Sequence, residues 1–391
     1  MPSIFKPFVV EEIIRNSKPY EIILSVILLV TLLIQVYYYF GIFLKVASNK
    51  RSKGKLADKK NQPPVSIVIC ARNEEENLKL FLPKVLEQKY SDFEVIVVND
   101  CSSDNSDMLL DNLQKQYPNL KVSTIKEDEK FSHNKKLALT VGIKAAKNEW
   151  LLLTDADCIP QSDMWLATMA ENFNDSTDVV LGYGGYLSEK GLLNKLIRFD
   201  TMMIAMNYLG FAMKGKPYMG VGRNLAYRRS LFFKNRGFAS HSQIESGDDD
   251  LFVREVAHKG NTAVEFRHDA QTLSVPRKSY STWIRQKQRH TSTSKYYSTG
   301  IKTLLGLEPA SRLLFFLSAI ALIALLYFPY IVASIVVVRL IIELSIIKAV
   351  MKRLNEKKLL LISLLWDFYS LYFYSKLLLL NSVSSKKTKW R

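Results

Sequence analysis

Trp150-Leu151-Leu152-Leu153-Thr154-Asp155-Ala156-Asp157-Cys158 is the stretch on which the fold turns. A short continuous apolar run is the mark of a strand buried on both faces. Here the run ends in two carboxylates one residue apart. Alternate side chains of an extended chain point the same way. Asp155 and Asp157 therefore predict a hard-oxygen site for Mg2+ or Mn2+, ions that hold a substrate's phosphates. Asp is also common in surface turns, so the pair takes its weight from its surroundings.

Those surroundings repeat the pattern. Val65-Ser66-Ile67-Val68-Ile69-Cys70 follows Pro63-Pro64 and predicts a buried strand. Ala71-Arg72-Asn73-Glu74-Glu75 comes next, with Asn73 placed to cap a helix through Leu78, Leu80 and Val85. Phe93–Val98 is a second strand, closed by Asn99-Asp100-Cys101-Ser102-Ser103-Asp104. Leu109, Leu110, Leu113 and Tyr117 recur at helical spacing, Lys121–Ile125 is a third strand, and Lys136–Ala146 a further helix. Strand and helix alternate four times, which predicts an α/β domain with a mainly parallel sheet covered on both faces. Ligands of such sheets bind beyond the carboxyl ends of the strands. Ala71–Glu74, Asn99–Asp104 and Asp155–Asp157 all fall there. Val179–Tyr183 predicts another strand, and Leu192–Phe211 a helix that belongs to the core, lies at a membrane interface or lines an acceptor groove.

Composition bounds the rest. The chain has 391 residues and a formal charge of +17. Ile22–Leu44 carries no charge and is long enough to cross a bilayer. It lacks a small-residue cleavage site, so it is expected to be a retained anchor. Lys45–Lys60 follows with seven Lys/Arg against one Asp, the pattern of a segment on the cytoplasmic side. The basic charge is thus assigned to membrane lipids rather than nucleic acid, for which no zinc-finger or RNA-binding signature exists. The expected organisation is an N-terminal segment (1–20), a transmembrane helix (21–45), a basic linker (46–62), a cytoplasmic soluble body (63–303), C-terminal membrane helices (304–385) and a basic tail (386–391). Arg339 and Glu343, four apart, are expected to pair inside the second C-terminal helix. Whether 359–380 spans is left open, because spanning would put the basic tail outside. The three cysteines, Cys70, Cys101 and Cys158, suit a reducing compartment and small buried positions.

Five blocks in order, Val65–Glu75, Val95–Asp104, Thr154–Asp157, Ser246–Leu251 and Gln286–His290, resemble the membrane-anchored inverting glycosyltransferases of family 2. The resemblance covers about residues 63 to 295 and implies a GT-A fold. It implies that Ala71, Arg72, Asn73 and Glu74 hold the donor nucleoside. Asp100 would accept hydrogen bonds from its base, usually uracil, and Lys135 would lie near the phosphates. Asp157 would bind the metal, with Asp155 beside it on the sugar or ribose. The family usually shows an acidic pair followed by x-(Asp/Glu)-Leu. Aligning Asp250-Leu251 on that ending makes Asp248 the general base, with Gly247 in place of the usual Glu and Asp249 as the alternative. Gln286 and Arg289 match the Gln-x-x-Arg-Trp motif of the acceptor and diphosphate site, and His290 replaces its Trp, a departure that bears on processive addition. Gly220–Arg229 resembles a glycine-rich acceptor loop, with Gly222 and Asn224 as its contacts.

The function implied is metal-dependent transfer of a sugar from a nucleotide diphosphate, a UDP-sugar, to a lipid-linked or polysaccharide acceptor. The expected setting is cell-envelope glycan synthesis at a bacterial plasma membrane. Two rivals share the motifs: a polyprenyl-phosphate glycosyltransferase, and a catalytically silent nucleotide-sugar-binding scaffold.

Overall fold

The computed structural model describes residues 17–49, 62–126 and 134–383. Most of the expected N-terminal segment, most of the basic linker and all of the basic tail lie outside the described residues.

Helix α1 (Pro19–Ser48) contains one π-helical turn, Tyr39–Phe43. The domain then alternates as β1 (Val65–Ala71), α2 (Glu75–Leu86), β2 (Phe93–Asp100), α3 (Ser106–Gln116), β3 (Leu120–Ile125), α4 (Lys135–Ala145) and β4 (Trp150–Asp155). After β5 (Cys158–Pro160) and α5 (Trp165–Ala170) come β6 (Val179–Gly182), β7 (Gly184–Tyr186) and the long α6 (Leu192–Met213). Next are β8 (Leu225–Arg228), α7 (Arg229–Lys234), α8 (Asp250–Val256), β9 (Thr262–Glu265), β10 (Thr272–Ser274) and α9 (Tyr280–Thr291). Helices α10 (Thr299–Ala324), α11 (Pro329–Arg353) and α12 (Leu360–Val383) complete the chain.

The main sheet runs in the order β3-β2-β1-β4-β8-β6-β9, and β5-β10-β7 form a second. The first four strands are parallel, as the alternation predicts, and β8 is antiparallel to both β4 and β6. Side-chain parity sorts the core. Val65, Ile67 and Ile69 pack on the face that α2, α3 and α5 cover, while Val68 and Cys70 face the other way, toward α4, α6 and the membrane-side helices. Both faces are dry, which is why β1 and β4 read as unbroken apolar runs.

Helices α1, α10 and α11 are long and apolar enough to cross a membrane; α12 is not among them. Their outer faces expose Ile23, Leu33, Leu317, Ile320, Tyr330 and Ile341, among others. The expected Arg339–Glu343 pair forms and is joined by Asp367 of α12, 2.5 Å from the guanidinium. A glycine brings this bundle onto the catalytic side. At Gly210 of α6 a Cβ would lie 2.7 Å from Ile42 Cγ2 in the π-helical turn, so only glycine allows the two backbones so close. Leu192–Phe211 takes its core reading: α6 is mostly buried, between the sheet and helices α1 and α12.

Candidate active site

One cavity of about 900 Å³ opens beyond the carboxyl ends of β1 and β4 and continues down to α10 and α12. Asp155 ends β4, opposite Cys70 of β1. Ala156 and Asp157 then turn the chain into β5 of the second sheet. The two carboxylates converge because Asp155 ends a strand of one sheet and Asp157 lies in the turn into the other, not because they alternate along one strand. Their oxygens and Cys158 Sγ lie within 4.8 Å of one another. The thiol is buried, bonded to Ser274 Oγ at 2.9 Å, and held protonated by burial and by Asp157 and Asp155. That leaves two hard oxygen donors. Burial and the neighbouring Asp155 push the Asp157 carboxyl up, with Arg223 partly offsetting this; Glu74 is also pushed up, by burial above all. Crowded carboxylates of this kind fit a divalent cation, which relieves their repulsion.

Lys135, the first residue of α4, provides positive charge between the two acidic groups. Its Nζ lies 2.7 Å from Asp155 Oδ1 and 3.2 Å from Asp248 Oδ2. Lys136 also turns inward: its ammonium donates to the carbonyls of His241 and Ile244 at 2.7 and 2.8 Å. It thereby tethers the loop that carries Asp248, Asp249 and Asp250, and burial lowers its pKa to about 8.

The three adjacent acids have three different jobs. Burial alone would raise Asp248, but Lys135 more than offsets this and holds it below the usual range. Asp249 caps α8, accepting the N–H of Asp250, and also accepts the N–H of Gly222 at 2.8 Å. Burial and its neighbours Asp248 and Asp250 push it up to about 7. Asp250 accepts hydroxyl hydrogen bonds from Thr293 (2.5 Å) and Tyr297 (2.8 Å), tying α8 to the segment before α10. Gly247, where the family carries Glu, has φ +98°, and a Cβ there would lie 2.6 Å from Leu251 Cδ1. The loop's own geometry therefore excludes a larger residue.

Helix α9 presents Gln286, Arg289 and His290 to the cavity, as residues three and four apart on one helix face must. Gln286 Nε2 donates to the Tyr186 hydroxyl at 3.2 Å. His290 is open to the cavity yet deep in the protein. That depth, with Arg289, Lys287, Arg223 and Lys135, lowers its pKa well below the usual value and keeps the ring neutral. The buried edge of α9 beside that face is anchored: Trp283 stacks on Phe373 of α12 at 4.5 Å, and buried Lys287, which also lines the cavity, pairs with buried Asp200 of α6.

Of the residues expected on the donor side, Arg72, Glu74, Lys135, Asp155 and Asp157 line the cavity; on the acceptor side Gly222, Gln286, Arg289 and His290 do. Four others do not. Ala71 is buried inside β1. Asn73 does not cap its own helix. It sits at φ 54° and accepts the N–H of Ser103 at 2.7 Å, while Asp104 accepts the N–H of Glu75 at 3.0 Å, so the loops after β1 and β2 cap each other. Asp100 is fully buried at the end of β2, because the chain turns back at Cys101 (φ 54°), whose N–H donates to Ile125 of β3. Asn224 is also fully buried. Its amide donates to the carbonyls of Tyr183 (2.9 Å) and Ala270 (2.7 Å) and accepts from Trp165 Nε1 (3.1 Å), so it holds the two sheets together rather than an acceptor.

Other residues enter the site without having been singled out in the sequence. Arg223 stacks on Tyr186 at 4.5 Å and donates to Ser274 Oγ at 3.3 Å, beside Asp157. Its carbonyl is held by Thr154 and Thr272, one from each sheet. Asp200 and Lys287 line the deeper half. The one available signal was Asp200 itself, the only acidic residue of α6, which also carries Lys195 and Arg198.

Comparison with known proteins places this arrangement. The chain is 26% identical over 242 residues to a probable glycosyltransferase, YdaM, of Bacillus subtilis, covering 61% of this chain and 56% of that protein. It is 25% identical over 222 residues to the poly-beta-1,6-N-acetyl-D-glucosamine synthase of Staphylococcus epidermidis, covering 56% and 50%. The chain thus spans about half the length of the curated relatives it matches. Among solved structures, a mannosyltransferase from Pyrobaculum calidifontis in complex with GDP-Man and Mn2+ superposes with a TM-score of 0.59 at 17% identity, over 94% of this chain and 99% of that one. Residues 66–234 match the profile of glycosyl transferase family 2. The chain is thus similar to glycosyl transferase family 2 over residues 66–234 and has the GT-A fold.

Proposed function

We propose that this protein is a membrane-bound, metal-dependent inverting glycosyltransferase. It moves a sugar from a nucleoside diphosphate donor, a UDP-sugar, to a lipid-linked or polysaccharide acceptor in cell-envelope glycan synthesis, with its catalytic domain in the cytoplasm. The observation that carries this reading is the single cavity in which Lys135 bridges Asp155, of the candidate metal pair, and Asp248, of the candidate base cluster.

Asp157 and Asp155 would hold Mn2+ or Mg2+, which when bound neutralises the diphosphate and favours its departure. The residues divide the remaining work. Arg72, Arg223 and Arg277 line the same end of the cavity and suit phosphate oxygens through their forked donors. Lys135 keeps Asp248 ionised. Asp248 or Asp249 takes the proton of the acceptor hydroxyl as its oxygen attacks the anomeric carbon. Gln286, Arg289 and neutral His290 line the acceptor side.

The test is a donor panel of UDP- and GDP-sugars, offered to purified full-length protein in detergent with Mn2+ or Mg2+, reading released nucleoside diphosphate. GDP-sugars belong in the panel because the solved neighbour binds GDP-Man. Asp157→Ala is expected to lower release by roughly 10²–10³-fold. Undiminished release would remove the metal assignment. Donor binding without turnover in the unmodified protein would favour the silent scaffold.

A further inference from the structure

Resting on the glycosyltransferase reading, we propose that the acceptor is a membrane lipid whose reacting group is a hydroxyl, and that it enters sideways through a mouth between α10 and α12.

The mouth is marked by residues that both line the cavity and lie exposed. At the membrane-side end these are Gly306 of α10 and Ser375 and Leu378 of α12. Leu378 is 61% exposed although it lines a cavity that reaches Asp157. Gly306 has open space around it: a Cβ there meets nothing within 4 Å. Just beyond, α10 exposes Leu313, Leu314 and Leu317, on a helix apolar enough to span. The cavity therefore opens where the protein surface turns apolar, which no soluble glycan needs. Inward from the mouth the walls are Leu305, Pro309, Trp366 and Leu371, then Met203 and Ile204. Those surfaces match a hydrocarbon tail, and the polar lining ahead of them matches a head group.

Charge separates a hydroxyl from a phosphate. The buried charged groups of the deeper half are already paired with one another. Lys287 faces Asp200, which also accepts from the Tyr374 hydroxyl at 2.5 Å. Arg312 lies 3.2 Å from Asp367 and 3.6 Å from Glu308. Lys302 is exposed and donates to the Lys295 carbonyl. At the reacting end three consecutive carboxylates, Asp248 to Asp250, line the wall. They would repel an approaching phosphate, whereas a hydroxyl needs a carboxylate to take its proton.

The test uses membranes containing the full-length protein and a labelled nucleotide sugar. Lipids are extracted with chloroform, and the extracted label is treated with mild acid, which cleaves a sugar–phosphate–lipid linkage and leaves a glycoside intact. The expected result is label in the lipid phase that survives acid. Acid-labile label, or label only in water-soluble glycan, overturns the proposal. Gly306→Trp tests the mouth: the ratio of lipid-linked label to released nucleoside diphosphate is expected to fall about tenfold or more. Gly300→Trp, on the same helix, in equally open space and off the cavity, is expected to leave that ratio unchanged. An unaltered ratio in Gly306→Trp removes the mouth. Absence of both diphosphate release and transfer from the unmodified protein would instead sink the glycosyltransferase reading, so the two failures are told apart.

Discussion

The two acidic groups of the cavity are built in opposite ways. Asp155 ends a strand of one sheet and Asp157 lies in the two-residue turn that leads into the other, and their position follows from backbone pairing on both sides. Asp248, Asp249 and Asp250 sit on a loop held from outside by Lys136, Gly222, Thr293 and Tyr297. The first group is fixed by the sheets, the second by single side chains from distant segments. A rigid seat suits a cation and a diphosphate. A tethered loop lets proton affinity differ among neighbours: Asp248 is held low by Lys135, while Asp249 rises to about 7.

The sharpest way to break this comparison is to remove the base. Replacing the true base by Asn is expected to lower turnover by roughly 10²–10⁴-fold. The pH profile says which carboxylate it is. If Asp249 is the base, turnover climbs as pH rises through about 7, because its raised pKa keeps it protonated below that point. If Asp248 is the base, turnover is already flat there, and Asp249→Asn leaves the profile unchanged. Stability runs the other way. The folded state binds the Asp249 proton more tightly than the unfolded chain, so that contribution is present in acid and lost as pH rises through about 7. Thermal melting of the unmodified protein against Asp249→Asn across that range measures it.

The external tethering of the deeper half of the cavity gives the next effect. Lys287→Met strands the buried Asp200 carboxylate and is expected to cost about 3–5 kcal/mol, read by thermal unfolding in detergent. Within the sheets, Asn224→Ala leaves Trp165 Nε1 and the Ala270 carbonyl unpaired and takes one of two donors from the Tyr183 carbonyl, at about 1–3 kcal/mol. It should lower the melting temperature while the donor KM stays near its normal value. A raised KM with unchanged melting would return Asn224 to the ligand site. The smallest effect is expected from Asp250→Asn, which keeps acceptors for Thr293 and Tyr297 but loses their charge-assisted strength, about 1 kcal/mol.

Legibility followed the same divide. The β1–β4 alternation, the strand ends that meet at the site and the Arg339–Glu343 pair were all readable, because local period and short spacing encode them. The mutual capping of the loops after β1 and β2 was not: Asn73 caps nothing in its own helix, and its partner Ser103 lies 30 residues on. Nor was the burial of Asp100 and Asn224, since a polar residue at a strand end can turn inward or outward with equal local geometry. Gly247 looked like a departure from a motif and proved to be a demand of the loop's φ.

By itself the sequence determined the parallel α/β layering, the carboxylate pair after β4 and the apolar helices at either end, because each is written in neighbouring residues as periodicity or spacing. Only the tertiary structure decided which polar side chains reach the cavity, how three adjacent aspartates divide into an ion-paired, a proton-holding and an anchoring group, and that the cavity runs on to a mouth between α10 and α12. Those outcomes depend on charges and hydrogen-bond partners tens to hundreds of residues away, which nothing local in the chain specifies.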